Sequence, residues 1–138
     1  MTPTIHAPRG LPAAGKSTLA HHLATRTGAV HVELDTHRHR IWPDCPPSWD
    51  PYHGRGLAVQ RAFEEEITAH LAAGRDVIAD RTNLAIEGLR RLERLGGRLV
   101  IHDLRHIPLT DCLNRDANRP ASQRVGPDGI HALHQRWI

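Results

Sequence analysis

The stretch GLPAAGKST, residues 10–18, constrains the fold more than any other part of the chain. Gly10, Gly15, Lys16 and Ser17 match the phosphate-binding pattern G-x-x-x-x-G-K-[ST] without a mismatch. The glycines allow a tight loop whose N–H groups point at a phosphate, and the following helix adds its positive end. The motif predicts a strand, a phosphate-binding loop and a helix, with the lysine on phosphoryl oxygens and the serine hydroxyl as a Mg²⁺ ligand.

Lys16 is the only lysine in the chain, and every other permanently charged basic side chain is an arginine. A lysine ammonium is a compact charge on a flexible stem, whereas a guanidinium is a rigid planar fork. The placement of the only lysine at this position therefore supports a site in which the ammonium follows a phosphoryl group as it moves. We expect the phosphates to be bound by one set of loop residues: Gly10, Ala13, Ala14, Gly15, Lys16, Ser17 and Thr18.

Short apolar runs alternate along the chain with longer amphipathic ones. Strands are predicted at residues 4–7, 29–34, 76–80 and 98–104. Helices are predicted at residues 15–27, 57–73 and 84–95, from Pro108 onward, and at about 127–137, with an irregular stretch at 43–56. This order predicts an α/β protein with a parallel sheet of four or five strands and helices on both faces. We expect residues 1–138 to form a single domain.

The overall charge and the lack of long apolar segments narrow the class of protein. The formal net charge of +3 at pH 7 and the pI of about 9.5 suit an anionic partner such as a nucleotide or a nucleic acid. No segment approaches the roughly 18 apolar residues that span a bilayer, and the N-terminus has no apolar signal core. The spacing of Cys45 and Cys112 suits neither a disulfide framework nor a metal finger, so both are expected to be reduced. We expect a soluble cytoplasmic protein without a membrane partner.

Two closely spaced histidine pairs, His37 with His39 and His131 with His134, suggest a metal site at first sight. Neither pair has an acidic or cysteine partner at the spacing of a zinc site. The sequence therefore predicts no protein-bound zinc.

Two acidic residues follow predicted strands. Asp35 comes directly after the second strand, with Arg38 three residues on, and Asp80 ends the third strand. Ligands of open parallel sheets bind at the carboxyl ends of the strands, so we expect both acids to face the pocket of Lys16. There Asp35 could accept a hydroxyl proton, Arg38 could hold a phosphate, and Asp80 could support a metal. The alternatives are a helix N-cap for Asp35 and a solvated surface charge for Arg38.

The segment CLNRDANRPASQR supplies three arginines, Arg115, Arg119 and Arg124. Arg115 and Arg119 are four residues apart, which predicts that they share one helix face. Such a segment could act as a short lid that places positive charge over a transferred phosphoryl group and excludes water. The alternative is a solvated helix face.

The irregular stretch around residues 43–56 is flanked and interrupted by aromatic and basic residues. Trp42, Trp49 and Tyr52 could stack on nucleobases, with Arg40 and Arg55 beside them. The alternative is that the tryptophans pack within the core or the loop itself.

Together, the motifs GLPAAGKST, LDTHR, DRTNL and CLNRDANRP…RVGPDGI resemble those of the 5′-hydroxyl polynucleotide kinases, specifically the kinase domain of the phage-type end-healing enzymes. The first motif is common to all P-loop kinases, whereas LDTHR and NRDANR are more particular. The resemblance covers about residues 4–135. It implies a P-loop kinase fold with strand order 2-3-1-4, and ATP-dependent phosphorylation of a 5′-OH end of DNA or RNA. ATP and GTP both stay open as donors.

The resemblance also implies roles on the donor side. Lys16 and Ser17 would hold the phosphates and Mg²⁺, and Asp80 would support the metal site. Arg119 would stabilise the phosphates from the lid, and Arg115 is a weaker candidate for the same role.

On the acceptor side, the resemblance implies that Asp35 is the general base and that Arg38 grips the 3′ phosphate of the acceptor. Two other functions stay open from the residues alone. One is a kinase of the same fold that phosphorylates a sugar, a nucleoside, an antibiotic or a hydroxymethylated base. The other is a nucleotide-dependent switch or nucleic-acid-binding module without transfer chemistry.

Overall fold

The protein is an α/β structure built on a four-stranded parallel sheet. The computed structural model describes residues 2–46 and 49–138. The strands are β1 (Thr4–Arg9), β2 (Val30–Glu33), β3 (Val77–Asp80) and β4 (Arg98–Asp103). Their order across the sheet is β2-β3-β1-β4, and every neighbouring pair is parallel. The predicted fold class and strand order are confirmed.

Helices follow the strands in the alternating order that the sequence predicts. They are α1 (Lys16–Thr27), α2 (Leu34–Ile41), α3 (Gly54–Ala72), α4 (Ile86–Glu93), α5 (Leu109–Ala117) and α6 (Pro127–Trp137), with a short 3₁₀ turn at Ala121–Gln123. None of the helices in the described part of the chain combines the length and apolar character needed to span a membrane.

The two faces of the sheet carry separate apolar clusters, because neighbouring residues of a strand point to opposite faces. On one face, Phe63 and Ile67 of α3 and Leu92 of α4 pack against β1, β2 and β3. On the other face, Ala20 of α1 packs against Ile78 of β3. Helices therefore cover both faces, as predicted.

A third cluster joins the phosphate loop to the last two helices. Leu11 and Ala14 of the loop pack with Cys112 of α5 and Ile130 of α6, and all four are buried. Cys112 is a free thiol, as is the half-buried Cys45. This cluster fixes where α5 places its arginines relative to the loop.

The first strand runs two residues further than predicted, through Pro8 to Arg9. Proline lacks an N–H donor and is unusual in a central strand. Here the Pro8 carbonyl still accepts a hydrogen bond, from the Asn83 side chain at 2.8 Å. The Arg9 carbonyl also accepts one, from the Leu104 N–H at 2.7 Å. The strand therefore continues up to the phosphate loop.

The helix α2 is absent from the sequence prediction, which ended the second strand at residue 34 and assigned no element to residues 35–41. Its second residue, Asp35, lies near the positive end of the helix dipole, and three basic residues fill its last turn. Leu34 packs against the core, and the buried His37 contacts the ring edge of Phe63. Packing against α3 therefore stabilises a helix whose sequence is mostly polar.

The irregular stretch is shorter than predicted, because α3 begins at Gly54 and not at residue 57. Gly56 lies under the preceding loop, where a Cβ atom would be 1.7 Å from the Asp50 carbonyl oxygen. The glycine allows the loop to cross the first turn of α3. Residues 47 and 48 of this stretch lie outside the described residues.

Candidate active site

The phosphate loop joins β1 to α1 and has the backbone of an anion-binding turn. Gly15, at the N-terminus of α1, has a φ of 99°, and Ala13 has a φ of 64°. Both values lie in the left-handed region, which alanine adopts at a cost of about 1–2 kcal/mol. The loop therefore keeps a strained alanine at its turn, which is typical of functional backbone.

Lys16 is buried beneath this loop. Its ammonium donates hydrogen bonds to the backbone carbonyls of Gly10, at 3.0 Å, and Leu11, at 2.5 Å. Burial lowers the pKa of Lys16 to about 8, and the nearby carboxylates of Asp80 and Asp35 partly oppose that lowering. Asp35 and Asp80 therefore both lie near enough to Lys16 to influence its charge.

A cleft of about 660 Å³ opens beside the loop. Its walls combine the loop, the first turns of α1 and the region of α5: Ala13, Ala14, Gly15, Ser17, Thr18, Leu19, His22, Ile107, Arg115 and Arg119. The structure thus brings together both arginines with five of the predicted phosphate-binding residues. Gly10 and Lys16 lie behind this wall, and the sequence reasoning missed Leu19, His22 and Ile107, which carry no motif.

The first turn of α2 presents Asp35 to solvent. Its side chain is 77% exposed, and its Oδ1 atom accepts a hydrogen bond from Arg38 Nε at 3.3 Å. Arg38 is more buried, at 23%. The predicted pair is therefore a direct ion pair one helical turn apart, and Asp35 is not the N-cap, which is Glu33.

Asp80 ends β3 and is much less exposed, at 13%. His31 of β2 contacts its Oδ2 atom through Nε2 at 2.7 Å. The sequence reasoning missed His31, because the two residues are 49 positions apart and only the pairing of β2 with β3 brings them together.

The arginine segment is arranged differently from the prediction. α5 ends at Ala117, so Arg119 lies after the helix and does not share a helix face with Arg115. Arg115 donates to the Ala13 carbonyl at 3.4 Å, and the exposed Arg124 donates to the Arg119 carbonyl at 2.7 Å. Proline at position 120 cannot continue the helix, which explains the early end.

Asp116, which the sequence reasoning did not single out, organises this segment. It is 2% exposed, and its two carboxylate oxygens accept the N–H groups of Val125 and Gly126, each at 2.9 Å. The chain between Arg119 and Gly126 is therefore folded back onto α5.

The aromatic residues of the irregular stretch are partly engaged with each other. Trp42 and Trp49 are half-buried and pack edge to face, with ring centroids 6.2 Å apart. Tyr52 is exposed at 38%. Arg40 donates to His37, and Arg55 forms an ion pair with Asp44 at 3.5 Å. Loop packing, one of the two interpretations, thus accounts for the tryptophans.

Asn83 has a structural role that the motif DRTNL alone does not describe. It is buried with a φ of 51°, and its side-chain amide donates to the carbonyls of Pro8 and Ala79. Its Oδ1 accepts from Arg81 Nε at 2.9 Å. Asn83 therefore holds the ends of β1 and β3 together beneath the site.

The residues at this edge of the sheet fit Mg²⁺, which prefers oxygen ligands and keeps several waters. Ser17 is exposed on the cleft wall, and Asp80 lies close enough to influence the pKa of Lys16. Ser17 would be the direct ligand, with Asp80 acting through water.

Solved structures with a similar fold include a chain of an RNA repair complex and two small-molecule kinases. One chain of the Pnkp1/Rnl/Hen1 RNA repair complex aligns with a TM-score of 0.81 and 20% identity, over 99% of this chain and 44% of that chain. A sugar kinase from Janibacter sp. HTCC2649 aligns at 0.71 and 19%, over 100% and 78%. A gluconokinase from Sinorhizobium meliloti 1021 aligns at 0.68 and 17%, over 99% and 76%. At these identities the similarity shows the fold alone, which is that of P-loop kinases.

This chain spans less than half of the length of the RNA repair chain that it resembles. No curated protein matches its sequence at a significant level. The family is nevertheless shown by the sequence itself, because residues 5–136 match the AAA domain family. The chain, with its phosphate loop, parallel sheet and arginine-lined cleft, belongs to the AAA domain family.

Proposed function

We propose that this protein transfers the γ-phosphate of ATP to the 5′-hydroxyl end of DNA or RNA, and that residues 1–138 act as one catalytic domain. The observation that carries this proposal is the placement of Asp35. An exposed carboxylate on α2 lies close enough to the buried Lys16 ammonium to influence its pKa. A base that is open to solvent can be reached by an acceptor hydroxyl arriving from outside.

On the donor side, the triphosphate lies along the loop and the start of α1, where backbone N–H groups and the helix dipole favour anions. Lys16 turns from the carbonyls of Gly10 and Leu11 to the phosphoryl oxygens. Arg115 and Arg119 line the same cleft and offset the charge that develops on the transferred group. Mg²⁺, when bound through Ser17, supplies further neutralisation of the phosphates.

On the acceptor side, the hydroxyl oxygen attacks the γ-phosphorus and its proton passes to Asp35. The new P–O bond forms as the bond to the β-phosphate oxygen breaks, and ADP leaves. Arg38 is adjacent to Asp35 and can hold a phosphate of the acceptor bidentately. A polymer with phosphates near its hydroxyl end supplies such a group, whereas an unphosphorylated sugar does not.

Three further observations support a nucleic acid as the acceptor. The chain carries a net positive charge, and its fold is similar to a chain of an RNA repair complex over 99% of its length. The exposed Tyr52 also offers a ring on which a base could stack.

A small-molecule acceptor is the second candidate. It is supported by the similar fold of a gluconokinase and a sugar kinase. This chain aligns with three quarters or more of each of those chains. The same Asp35 would then activate a sugar hydroxyl, and Arg38 would have no phosphate to bind.

The two candidates are separated by an acceptor screen. The protein is incubated with γ-labelled ATP or GTP and Mg²⁺, together with 5′-OH oligonucleotides of DNA and RNA, with and without a 3′ phosphate, or with gluconate and other sugars. We expect label on the oligonucleotides, with binding that weakens as salt rises because counterions are released. Label on a sugar alone, with little salt dependence, would establish the second candidate.

Replacement of Asp35 by Asn tests the base directly. We expect turnover to fall by about 10²–10⁴-fold, because the proton acceptor is lost, while ADP affinity stays the same. The matched control is Asp128→Asn, since Asp128 also occupies the first turn of a helix and is exposed. Equal effects of the two substitutions on turnover would contradict the role of Asp35, and full activity of Asp35→Asn would favour a different base.

A further inference from the structure

A cluster of potential metal ligands lies beside the nucleotide site and has no role in the proposed transfer, apart from the contribution of Asp80. His31 and Glu33 of β2 and Asp80 of β3 each offer a ligand atom, and these atoms all lie within 4.8 Å of one another. We propose that His31, Glu33 and Asp80 form a binding site for a transition-metal ion of the Mn²⁺, Co²⁺ and Zn²⁺ class in the nucleotide-free protein.

The strands themselves create the cluster. Glu33 pairs in register with Asp80, so their side chains leave the sheet side by side at the ends of β2 and β3. His31 precedes Glu33 by two residues and therefore points to the same face. Three ligands on two adjacent strands need no loop to be ordered before an ion can bind.

The distances are close to those of a metal site. His31 Nε2 lies 2.7 Å from Asp80 Oδ2 and 3.6 Å from Glu33 Oε1. Bonds of about 2.0–2.2 Å around a tetrahedral ion hold neighbouring ligand atoms about 3.3 Å apart. Small rotations of these side chains would therefore reach the required geometry, and Glu33, at 48% exposure, has the freedom to move.

The negative charges of Glu33 and Asp80 also favour the binding of a cation. Within residues 2–46 and 49–138, no lysine or arginine forms an ion pair with Glu33 or Asp80. The ammonium of Lys16 is directed to backbone carbonyls instead. Asp80 is nevertheless largely buried, and buried charges are normally paired or coordinate metals. A metal ion bound between His31 and Asp80, which lie 2.7 Å apart, would supply the missing positive charge.

The ligand types favour a transition metal over Mg²⁺. An imidazole nitrogen with carboxylate oxygens suits Zn²⁺, Co²⁺ and Mn²⁺, whereas Mg²⁺ takes oxygen ligands almost alone. The proposed site shares Asp80 with the magnesium position but does not use Ser17. The two ions therefore compete for one carboxylate, and the transition metal occupies its site when no nucleotide is present.

The test is a calorimetric titration of Zn²⁺ into the full nucleotide-free chain in the presence of excess Mg²⁺. We expect one equivalent of Zn²⁺ to bind, and to bind at least about 10-fold more weakly in His31→Gln and in Glu33→Gln. The matched controls are His21→Gln and His131→Gln, which remove exposed histidines elsewhere on the chain. The visible absorption of Co²⁺ then reports whether nitrogen and oxygen ligands surround the ion.

Two outcomes would overturn the site. One is Zn²⁺ binding that is as tight in His31→Gln and Glu33→Gln as in the wild-type chain, which would assign the ion to surface histidines. The other is no saturable Zn²⁺ binding by the wild-type chain, which would leave His31 as a hydrogen-bond donor to Asp80. Glu33→Gln changes an exposed side chain, so it remains informative if His31→Gln fails to fold. No nucleotide or acceptor is present, so neither outcome bears on the proposed kinase activity.

Discussion

At the scale of single residues, Lys16 lies in an environment that disfavours its own charge. Burial lowers its pKa from the ordinary value of 10.5 to about 8. An unfolded chain keeps that proton up to about pH 10.5, so the unfolded state binds more protons between pH 8 and 10.5. The contribution of Lys16 to the stability of the nucleotide-free protein therefore rises with pH in this window. Bound nucleotide phosphates oppose this lowering of the Lys16 pKa, because they stabilise the ammonium.

Nucleotide binding is therefore expected to take up a proton. At pH 8, where Lys16 is about half protonated, ADP binding should take up about half a proton, and above pH 8 ADP affinity should fall by up to about tenfold per pH unit. The measurement is calorimetry of ADP binding in two buffers with different ionisation enthalpies. The control is Lys16→Arg, whose guanidinium keeps its charge throughout and should show no uptake. Equal proton uptake by both proteins would show that another group is responsible.

Candidate site residues could be named from the sequence where the chemistry is local. Lys16, Ser17 and the pair Asp35–Arg38 belong to short motifs, and the structure places them at one end of the sheet. His31 could not be found in this way, because its partner Asp80 is reached only through strand pairing. The role of Asn83 could not be found in this way either, because its hydrogen bonds serve the ends of two strands.

At the scale of elements, α5 and the segment after it behave as one unit because of Asp116. Both of its carboxylate oxygens accept backbone N–H groups from the returning chain. An asparagine can accept only one of these hydrogen bonds and turns an N–H donor toward the other. Asp116→Asn should therefore lower the free energy of unfolding by about 2 kcal/mol and weaken ADP binding, because Arg119 lies within this segment.

Chemical denaturation and ADP titration together check this expectation. The control is Asp111→Asn, an exposed acid in the first turn of the same helix, which should change stability by less than about 1 kcal/mol. If Asp116→Asn lost stability while ADP affinity stayed at the wild-type level, the segment would have no part in nucleotide binding.

The short helix α2 shows the limit of sequence patterns at this scale. Its sequence LDTHRHRI is polar apart from its two ends, so it lacks the apolar periodicity of a surface helix. What stabilises it is tertiary: His37 contacts Glu66 at 2.7 Å and the ring of Phe63, both on α3. A prediction from local pattern could not include partners that lie more than twenty residues away.

At the scale of the whole molecule, Phe63 links the helices on one face of the sheet to the end of β3. It is fully buried, its ring meets His37 edge-on, and the Arg81 guanidinium lies 5.2 Å from its centroid. Arg81 in turn donates to the Gly88 carbonyl of α4. The ring of Phe63 thus contacts both α2 and Arg81, the residue that is hydrogen-bonded to α4.

Shortening this side chain should loosen α2 specifically. Phe63→Leu is expected to cost about 1–2 kcal/mol of stability and to speed amide hydrogen exchange across residues 34–41. Ile67→Val, one turn further along α3 and also fully buried, should cost a similar amount without that local effect. Amide hydrogen exchange followed by mass spectrometry distinguishes the two variants. The same acceleration in both variants would mean that α2 responds to global stability and not to Phe63.

The global architecture was predictable because alternating strands and helices admit few topologies. The phosphate loop fixed the first strand and helix, and the remaining strand–helix units could only add parallel strands around them. At Pro8 and α2, where prediction and structure differ, a contact distant in sequence overrides the local preference.

The ion pair between Asp35 and Arg38 has a consequence for ATP hydrolysis by the proposed kinase when no acceptor is bound. An exposed ion pair of this kind contributes only about 0–1 kcal/mol to stability. Replacing Asp35 by a phosphate as the partner of Arg38 therefore costs little free energy. While no acceptor is present, the guanidinium lies against Oδ1 of Asp35 and makes that oxygen less accessible to a water molecule. Under the proposed function, an acceptor phosphate that binds Arg38 would weaken this contact and free the oxygen once the acceptor is in place. Hydrolysis of ATP in the absence of an acceptor would thereby be reduced.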